Sequence, residues 1–230
     1  MINKIKDNYY KAYDTRYKQV HKKGLLWELT DKTIEVEEII NKYNIQNKKI
    51  LELGCGEGRD AIYLLNKGYN ILAVDYSKEA INKCNELSNN KYLNNFKQLD
   101  LITDKMNNKF DFIYSIAVLH MFVTEEHRNK YWNFIKENLE EKGIALIVTM
   151  GDGEKEFTSN IDNAFEKVIR KHTTTNDKLL VASTSCCIKN ISSLKQEINA
   201  AGLRCIDLWI SEKIPNFDKC ICMLVDKGVI

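Results

Sequence analysis

The chain has 230 residues, and its 34 Lys and Arg residues nearly balance its 32 Asp and Glu residues. This length suits one domain with a sizeable core, and a formal charge of +2 provides no basic field that by itself indicates a nucleic acid partner. The sequence has no run of about 18 apolar residues, and its start lacks the apolar core of a signal peptide. We therefore expect a soluble, cytoplasmic protein without a membrane partner.

Seven cysteines occur in a chain without an export signal, which favours reduced thiols over a disulfide framework. The pairs at 186–187 and 220–222 lack the Cys-x-x-Cys spacing that is typical of zinc sites, so no metal is expected. Cys220 and Cys222 are two positions apart in an apolar run. They are predicted to face one side of a strand as small buried residues.

The first predicted helix spans residues 3–22, with tyrosines at positions 9, 10, 13 and 17 at three- and four-residue steps. Such a stripe indicates either a packing face or aromatic walls of a ligand pocket. Gly24 and Trp27 follow where the pattern breaks. A second helix is predicted to open at Thr30-Asp31-Lys32-Thr33 and to bury apolar residues up to Tyr43.

The next segment joins a short apolar strand from residue 48, a turn with three alternating glycines and a helix that ends near Gly68. Gly54, Gly56 and Gly58 remove every Cβ from one side of the turn, so a ligand can approach the main chain closely. A strand, a glycine turn and a helix start form the usual cradle for a nucleotide.

The following strand, at residues 71–74, ends at Asp75, which lies 21 positions after Gly54. In dinucleotide folds, an acidic residue ~20 positions after the glycine turn binds the ribose hydroxyls. Arg59 stands where the dinucleotide fingerprint has its last glycine, and Glu57 would repel a pyrophosphate. The pattern therefore favours an adenosine ligand without phosphate.

Strands and helices then alternate, which predicts a parallel sheet. Ser77 is the predicted N-cap of a helix over 78–88, and strands are predicted at 96–101, 110–116 and 144–150. A long helix is predicted from Thr124 to Lys142-Gly143.

Residues 151–190 are longer than a simple connection requires, which indicates either an acceptor-side lid or a surface elaboration. They are predicted to hold a helix near 161–172 and a short strand at 179–182. Ser193-x-x-Gln196 predicts a capping box for the next helix. Two further strands, at 204–210 and 219–225, complete the pattern.

Four short motifs occur in an order similar to that of class I S-adenosylmethionine (SAM)-dependent methyltransferases: ELGCGEG at 52–58, VDYS at 74–77, LDL at 99–101 and FDFIYS at 110–115. The resemblance is good over roughly residues 45–150. Within this class, the sequence also shows a weaker resemblance to the tellurite-resistance and thiol methyltransferase group.

The resemblance implies an α/β fold with a doubly wound, mostly parallel, seven-stranded sheet whose last strand is antiparallel. It implies a single methyltransferase domain over 1–230. Within this domain, residues 1–44 form a helical cap, 45–150 the SAM-binding core, 151–190 the lid and 191–230 the rest of the sheet.

The cofactor implied by the resemblance is SAM, with S-adenosylhomocysteine as its product. Asp75 would bind both ribose hydroxyls, Tyr76 and Asp100 would border the adenine, and Glu52 would organise the methionine end. An exposed loop-end aspartate is the alternative for Asp100. The implied cofactor-binding residues are Glu52, Gly54, Cys55, Gly56, Gly58, Asp75, Tyr76, Asp100, Leu101, Ile116 and Ala117. Arg59 or Asp60 would either position the amino-acid moiety or pair on the surface.

His120 follows a predicted strand end and is the candidate general base, with a structural histidine as the alternative. Tyr13, Trp27 and His120 are the predicted substrate-pocket residues. A single proline, Pro215, excludes the Asn/Asp-Pro-Pro-Tyr/Phe motif of amino-nitrogen methyltransferases. A small-molecule acceptor with a nucleophilic N, O or S atom is therefore favoured, in a monomer or homodimer. A tRNA base methyltransferase, a non-catalytic SAM-binding module and, more distantly, a nicotinamide enzyme stay open.

Overall fold

The computed structural model describes residues 7–27, 31–172 and 175–228. The predicted start of the first helix at residue 3 and Thr30 of the second helix lie outside these residues. The strands are β1 (Lys49–Leu53), β2 (Asn70–Asp75), β3 (Phe96–Gln98), β4 (Phe110–Ile116), β5 (Leu139–Met150), β6 (Phe157–Thr158), β7 (Lys167–Lys171), β8 (Lys178–Ala182), β9 (Cys187–Ile188), β10 (Arg204–Ser211) and β11 (Cys220–Asp226). The α-helices are α1 (Ala12–His21), α2 (Ile34–Lys42), α3 (Arg59–Asn66), α4 (Lys78–Leu87), α5 (Glu125–Asn138) and α6 (Ile191–Ala200).

The main sheet has seven strands in the order β10-β11-β5-β4-β1-β2-β3. Strand β1 runs parallel to both β2 and β4, with Leu53 opposite Val74 on one side and Ser115 on the other. Strand β11 lies antiparallel to β5 and β10. The predicted doubly wound, mostly parallel sheet with an antiparallel last strand is confirmed.

Helices cover both faces of the sheet, which explains why the central strands are apolar on both sides. Leu51 and Leu53 point into a core shared with α5 and α6, whereas Ile50 points into a core shared with α2, α3 and α4. Cys220 and Cys222 are fully buried in the second core, as their spacing predicted.

The side chains of Ser77 and Thr124 cap two helix starts, which confirms the predicted N-cap at Ser77 and the predicted helix start at Thr124. The Ser77 hydroxyl accepts a hydrogen bond from the Ala80 N–H at 3.1 Å, and the Thr124 hydroxyl accepts one from the His127 N–H at 3.3 Å. The long helix that begins after Thr124 ends earlier than predicted, at Asn138, because the chain from Leu139 onward pairs with β4.

The prediction of a helix near 161–172 is wrong. A short 3-10 turn, Ile161–Asn163, precedes strand β7, which pairs antiparallel with β8. The helix prediction failed because long-range contacts decide this segment: β7 pairs with β8, whose Leu179 and Val181 are buried against Val20 of α1. The predicted strand at 179–182 is confirmed as part of β8.

The predicted capping box at Ser193 is also wrong, because helix α6 starts earlier. The Asn190 side chain is the N-cap and accepts a hydrogen bond from the Ser193 N–H at 2.9 Å. Asn accepts the free N–H groups of a helix start as well as Ser does, and only the position of the first turn distinguishes the two candidates.

Helix α1, preceded by a 3-10 turn at Tyr9–Lys11, lies beside the carboxyl end of the sheet. The Arg16 guanidinium fastens α1 to the end of β8 by donating to the carbonyl oxygens of Ala182 and Ser183, at 2.9 and 2.6 Å. None of the helices in the described parts of the chain combines the length and apolarity that crossing a bilayer requires.

Candidate functional site

A cavity opens at the carboxyl edge of the parallel strands. The turns after β1, β2, β3 and β4 meet at this edge, as the ligand crevice of a doubly wound sheet does, and helix α1 closes one side. Ten of the predicted cofactor-binding residues line the cavity: Glu52, Gly54, Cys55, Gly56, Asp75, Tyr76, Asp100, Leu101, Ile116 and Ala117.

The glycine turn has the backbone geometry that its sequence predicted at its first position. Gly54 has φ +69°, and a Cβ there would lie 2.4 Å from the Val118 Cγ2 atom. The N–H groups of Gly54 and Cys55 both donate to the Val74 carbonyl oxygen, at 2.8 and 3.0 Å. The turn therefore holds the end of β1 against the end of β2, while its glycine admits the segment after β4.

Gly58 does not line the cavity, contrary to the expectation that it would lie against the cofactor. It is the N-cap of α3 with φ +82°, and a Cβ there would lie 2.8 Å from the Cys84 Sγ atom. The third glycine therefore serves the packing of α3 on α4. A repeated glycine pattern in the sequence does not show which side of a turn each residue faces.

Asp75 ties the glycine turn to the start of α4. Its carboxylate accepts hydrogen bonds from the Gly56 N–H at 2.9 Å and from the Ser77 N–H at 2.7 Å. Burial raises the pKa of Asp75 to about 6, although these two N–H donors oppose the shift. The carboxylate lies at the end of β2 and faces the cavity, where ribose hydroxyls could donate to its remaining lone pairs.

A pH dependence of ligand binding follows from the Asp75 carboxyl group. Hydroxyl donors favour the ionised carboxylate, so we expect protonation of Asp75 to lower the affinity for SAM as pH falls through the pKa of about 6. The fall should reach about tenfold between pH 7 and pH 5. Isothermal titration calorimetry across this range measures it, and affinity that rises toward pH 5 would contradict the assignment.

Asp100 is held by the chain before α1. The Tyr10 hydroxyl donates to Asp100 Oδ1 and Oδ2 at 3.1 and 2.9 Å, and the Ile102 N–H donates to Oδ1 at 3.0 Å. The rings of Tyr10 and Tyr76 contact each other edge to face, 5.8 Å apart. Asp100 is thus a buried, oriented acceptor at the cavity wall and differs from the exposed loop-end alternative.

Glu52 and Arg59 form another part of the cavity wall. Glu52 is buried and accepts a hydrogen bond from the Tyr114 hydroxyl at 2.9 Å. The Arg59 guanidinium donates to the Thr33 hydroxyl at 2.9 Å and to Asp60 at 3.1 Å. Both Arg59 and Asp60 line the cavity, so this pair joins helices α2 and α3 where their ends reach the ligand space.

The segment after β4 forms the cavity wall next to the glycine turn. Ala117 has φ +58°, and its N–H donates to the Val148 carbonyl oxygen at 2.8 Å. A 3-10 turn, Leu119–Met121, follows, and the buried Arg128 side chain donates to the carbonyl oxygens of Leu119 and Phe122 at 3.0 and 3.1 Å. Arg128 therefore holds the turn from which Met121 and Phe122 reach the cavity.

Of the predicted substrate-pocket residues, Tyr13 lines the cavity, but His120 and Trp27 do not. His120 is buried at 4% exposure with its ring 5.9 Å from that of Phe217, which does line the cavity. Trp27 packs instead beside helix α1, with the Arg16 guanidinium 4.7 Å from its ring centre. Burial, together with the nearby Arg128 charge, lowers the pKa of His120 to about 4, so its imidazole is neutral near pH 7.

Sequence reasoning missed several residues that line the cavity. Tyr10, Asp14 and Tyr17 come from the N-terminal segment, and Phe217 comes from the loop between β10 and β11. The tyrosine stripe was visible in the sequence, but periodicity alone does not show which tyrosines face a ligand space. Among the described residues, no three His, Cys, Asp or Glu side chains are grouped so that they could hold a metal ion.

The family model described as "Tellurite resistance protein TehB" matches residues 13–173, which is well over half of the chain. The chain belongs to the TehB family. The matched segment includes every residue that lines the cavity except Tyr10 and Phe217.

A curated TehB relative is the probable SAM-dependent methyltransferase TehB of Haemophilus influenzae, which is 34% identical over 101 residues. This region is 44% of the present chain and 35% of that relative, so the chain matches about a third of the relative's length.

Two solved structures have a fold similar to that of this chain. A SAM-dependent methyltransferase from Clostridium acetobutylicum has a TM-score of 0.62 at 18% identity, covering 84% of this chain and 89% of that one. The glycopeptide N-methyltransferase MtfA, solved with SAM, has a TM-score of 0.63 at 14% identity, covering 86% and 95%. The predicted resemblance to class I methyltransferases is thereby confirmed for the fold and the family.

Proposed function

We propose that this TehB family member transfers the methyl group of SAM to a small-molecule nucleophile bound in the cavity. One observation carries the proposal: the glycine turn and the Asp75 carboxylate face the same cavity and are joined by the hydrogen bond from Gly56. A side-chain-free turn and a ribose acceptor are the two features that hold an adenosine moiety in this fold class.

Different cavity residues would contact different parts of the proposed ligand, SAM. Asp75 would bind the ribose hydroxyls, and Tyr76, Asp100 and Leu101 would surround the adenine. Arg59 would meet the carboxylate of the methionine end, because a guanidinium matches a carboxylate in shape and charge. The main chain at Ile116 and Ala117 would lie beside the transferable methyl group.

When SAM is bound, its sulfonium supplies an activated methyl group, so the protein mainly orients the reactants and excludes water. The acceptor's lone pair forms the new bond to the methyl carbon, and the electrons of the carbon–sulfur bond remain on sulfur in S-adenosylhomocysteine. The cavity has an apolar wall on the side of β4, formed by Met121, Phe122 and Phe217. Tyr13 contacts the 151–190 segment, since its hydroxyl donates to the Ser185 carbonyl oxygen at 3.2 Å. This arrangement supports a lid role for that segment.

A small, soft acceptor such as a thiol or a metalloid oxyanion fits the proposal, since the matched family is described by tellurite resistance.

His120 enters the proposal as the candidate general base for acceptors that must lose a proton. Its Nδ1 atom has no hydrogen-bond partner among the described residues, and the neutral ring can accept a proton. Because His120 contacts the cavity wall at Phe217 and not the cavity itself, this role requires Phe217 to move aside.

Replacing His120 by Gln should therefore lower turnover by about 100-fold with an acceptor that is protonated in solution. Turnover with an acceptor that carries no proton, and affinity for SAM, should not change. Steady-state kinetics with one acceptor of each kind and calorimetry with SAM measure these quantities. Equal turnover of the variant and the wild type with both acceptors would restrict His120 to packing.

A structured RNA is the second candidate acceptor, favoured by one observation. The β7–β8 hairpin exposes the basic side chains of Lys167, Arg170, Lys171 and Lys178. The near-neutral charge of the whole chain argues against this candidate.

The proposal is tested by calorimetry with SAM and S-adenosylhomocysteine, followed by transfer of radiolabelled methyl groups to thiols, metalloid oxyanions and bulk tRNA. We expect binding of both ligands and transfer to a small molecule. Binding without transfer to any acceptor would favour a non-catalytic SAM-binding module, and label in tRNA would favour the RNA alternative. Stabilisation by NAD but not by SAM in thermal melts would overturn the proposal.

A further inference from the structure

His21, the last residue of helix α1, bridges two acidic side chains from different parts of the fold. Its Nε2 atom lies 2.6 Å from Glu57 Oε1 in the glycine turn, and its Nδ1 atom lies 2.9 Å from Glu79 Oε1 in the first turn of α4. The side chains of His21 and Glu57 are only 5% and 2% exposed. The sequence assigned no role to this histidine.

The two contacts determine the protonation state of the ring. An ionised carboxylate only accepts hydrogen bonds, and a neutral imidazole has a single N–H donor. Both contacts are therefore satisfied only by the imidazolium form, and loss of either proton would set a nitrogen lone pair against a carboxylate oxygen. Burial opposes the charge, but the hydrogen bonds and charges of Glu57 and Glu79 outweigh it, so the pKa of His21 is raised above its ordinary value.

This bridge connects directly to the proposed methyl donor site. Glu57 lies between Gly56, whose N–H binds Asp75, and Gly58, which caps α3. Glu79 follows Ser77, whose N–H binds Asp75 and whose hydroxyl donates to Asp14 of α1 at 2.6 Å. Helix α1 thus meets the ribose-binding region at two points, Asp14 and His21.

We propose that His21 is a positioning residue for SAM: its imidazolium holds the glycine turn and the start of α4 against helix α1, in the arrangement that binds the cofactor. This inference rests on the proposed function. Raising the pH removes the His21 proton and loosens the bridge, so affinity for SAM falls as pH rises through the pKa of His21. Asp75 has the opposite effect on the acid side, and the two groups together predict an affinity maximum between them.

Other groups around His21 do not reproduce this dependence. Tyr17, on the same helix, has its ring centre 5.9 Å from that of His21, and its phenol is not an acid of the imidazole class. Lys18, one turn before His21, pairs with Asp14 at 2.6 Å, which raises its pKa further above the neutral range. The Trp27 N–H also donates to Glu57 Oε1, at 2.8 Å, and this hydrogen bond does not depend on the protonation of His21. Loss of the His21 proton therefore weakens the hold on the glycine turn but leaves the Trp27 contact in place.

The test compares SAM affinity from pH 6.5 to 9 for the wild type, His21→Gln and the control Lys22→Gln, which removes an exposed neighbouring charge. We expect the wild type and Lys22→Gln to lose about fivefold in affinity across this range. His21→Gln should bind about as weakly at pH 6.5 as the wild type does at pH 9. The amino group of SAM titrates alike in all three proteins, so differences between their profiles report on His21.

A second measurement follows from linkage. If protonated His21 favours SAM, then S-adenosylhomocysteine must raise the pKa of His21, which an NMR titration of the imidazole detects. Glu79→Gln, a milder change at a carboxylate that is 30% exposed, should shift the affinity loss to lower pH if His21→Gln does not fold. Parallel pH profiles of variant and wild type, or an unchanged pKa, would overturn the role of His21. Failure of every protein to bind SAM at any pH would instead overturn the proposed function.

Discussion

Replacing Asp75 by Asn is expected to weaken SAM binding by about 1–3 kcal/mol, or roughly five- to 150-fold. The carboxylate accepts the N–H groups of Gly56 and Ser77 and leaves lone pairs for the ribose. An amide of the same size has one acceptor oxygen, and its NH₂ group must face a backbone N–H or a ribose hydroxyl. The substitution therefore disturbs both the ligand contact and the turn that presents the other contacts.

Asp111→Asn is the matched control for this substitution. The Asp111 carboxylate also accepts a backbone hydrogen bond, from the Lys49 N–H at 2.9 Å, but lies at the opposite edge of the sheet and outside the cavity lining. Calorimetry should show unchanged SAM affinity for Asp111→Asn. Equal losses in both variants would mean that a general loss of stability, and not a ribose contact, explains the effect at Asp75.

Replacing Glu197 by Ala should lower the free energy of unfolding by about 3 kcal/mol. Glu197 accepts hydrogen bonds from the Arg128 guanidinium at 2.7 and 2.8 Å and from the Trp132 indole N–H at 3.1 Å. Arg128 is 2% exposed, so its charge would remain buried without an acidic partner. Glu197 keeps 18% exposure, which places the expected loss at the lower end of the range for buried pairs.

Urea denaturation measures this loss, and Glu126→Gln provides the control. Glu126 pairs with Lys130 at 2.7 Å on the exposed side of α5, the helix that carries Arg128. Removing this surface pair should cost at most about 0.5 kcal/mol. If both variants lose the same small amount, the buried guanidinium does not depend on Glu197 for its stability.

The outcomes at His21 and Asp75 can be separated because the two groups titrate with opposite effects. Protonation of Asp75 removes an acceptor from the site, whereas protonation of His21 completes a bridge beside it. A protein that lacks His21 should retain the acid limb of the affinity profile and lose the alkaline limb. The profile of one variant thus tests both residues.

Much of the core could be predicted from local sequence signals. The apolar strands, the glycine turn and the caps at Ser77 and Thr124 depend on residues close together in the chain, and all are present in the structure. The 21-residue interval from Gly54 to Asp75 was informative because one turn–helix–strand unit has a nearly constant length. It placed both residues at the same edge of the sheet, where the cavity lies.

Local signals failed where long-range pairing decided the conformation. Residues 167–171 form a strand because β8 lies beside them, and the helix before Leu139 ends because β4 takes up the chain from there. Side-chain orientation could not be predicted either. His120 and Trp27 were predicted to line the substrate pocket, but neither lines the cavity.

The sequence by itself determined the seven strands of the main sheet and the helices between them, the family and the carboxyl edge at which a ligand can bind, because periodicity and turn chemistry are properties of neighbouring residues. Only the tertiary structure decided which side chains share that edge. Tyr10 reaches Asp100 across 90 residues, and His21 reaches Glu57 and Glu79 across 36 and 58. Contacts over such separations depend on how helix α1 packs against the finished sheet, and no pattern within the helix specifies its partners.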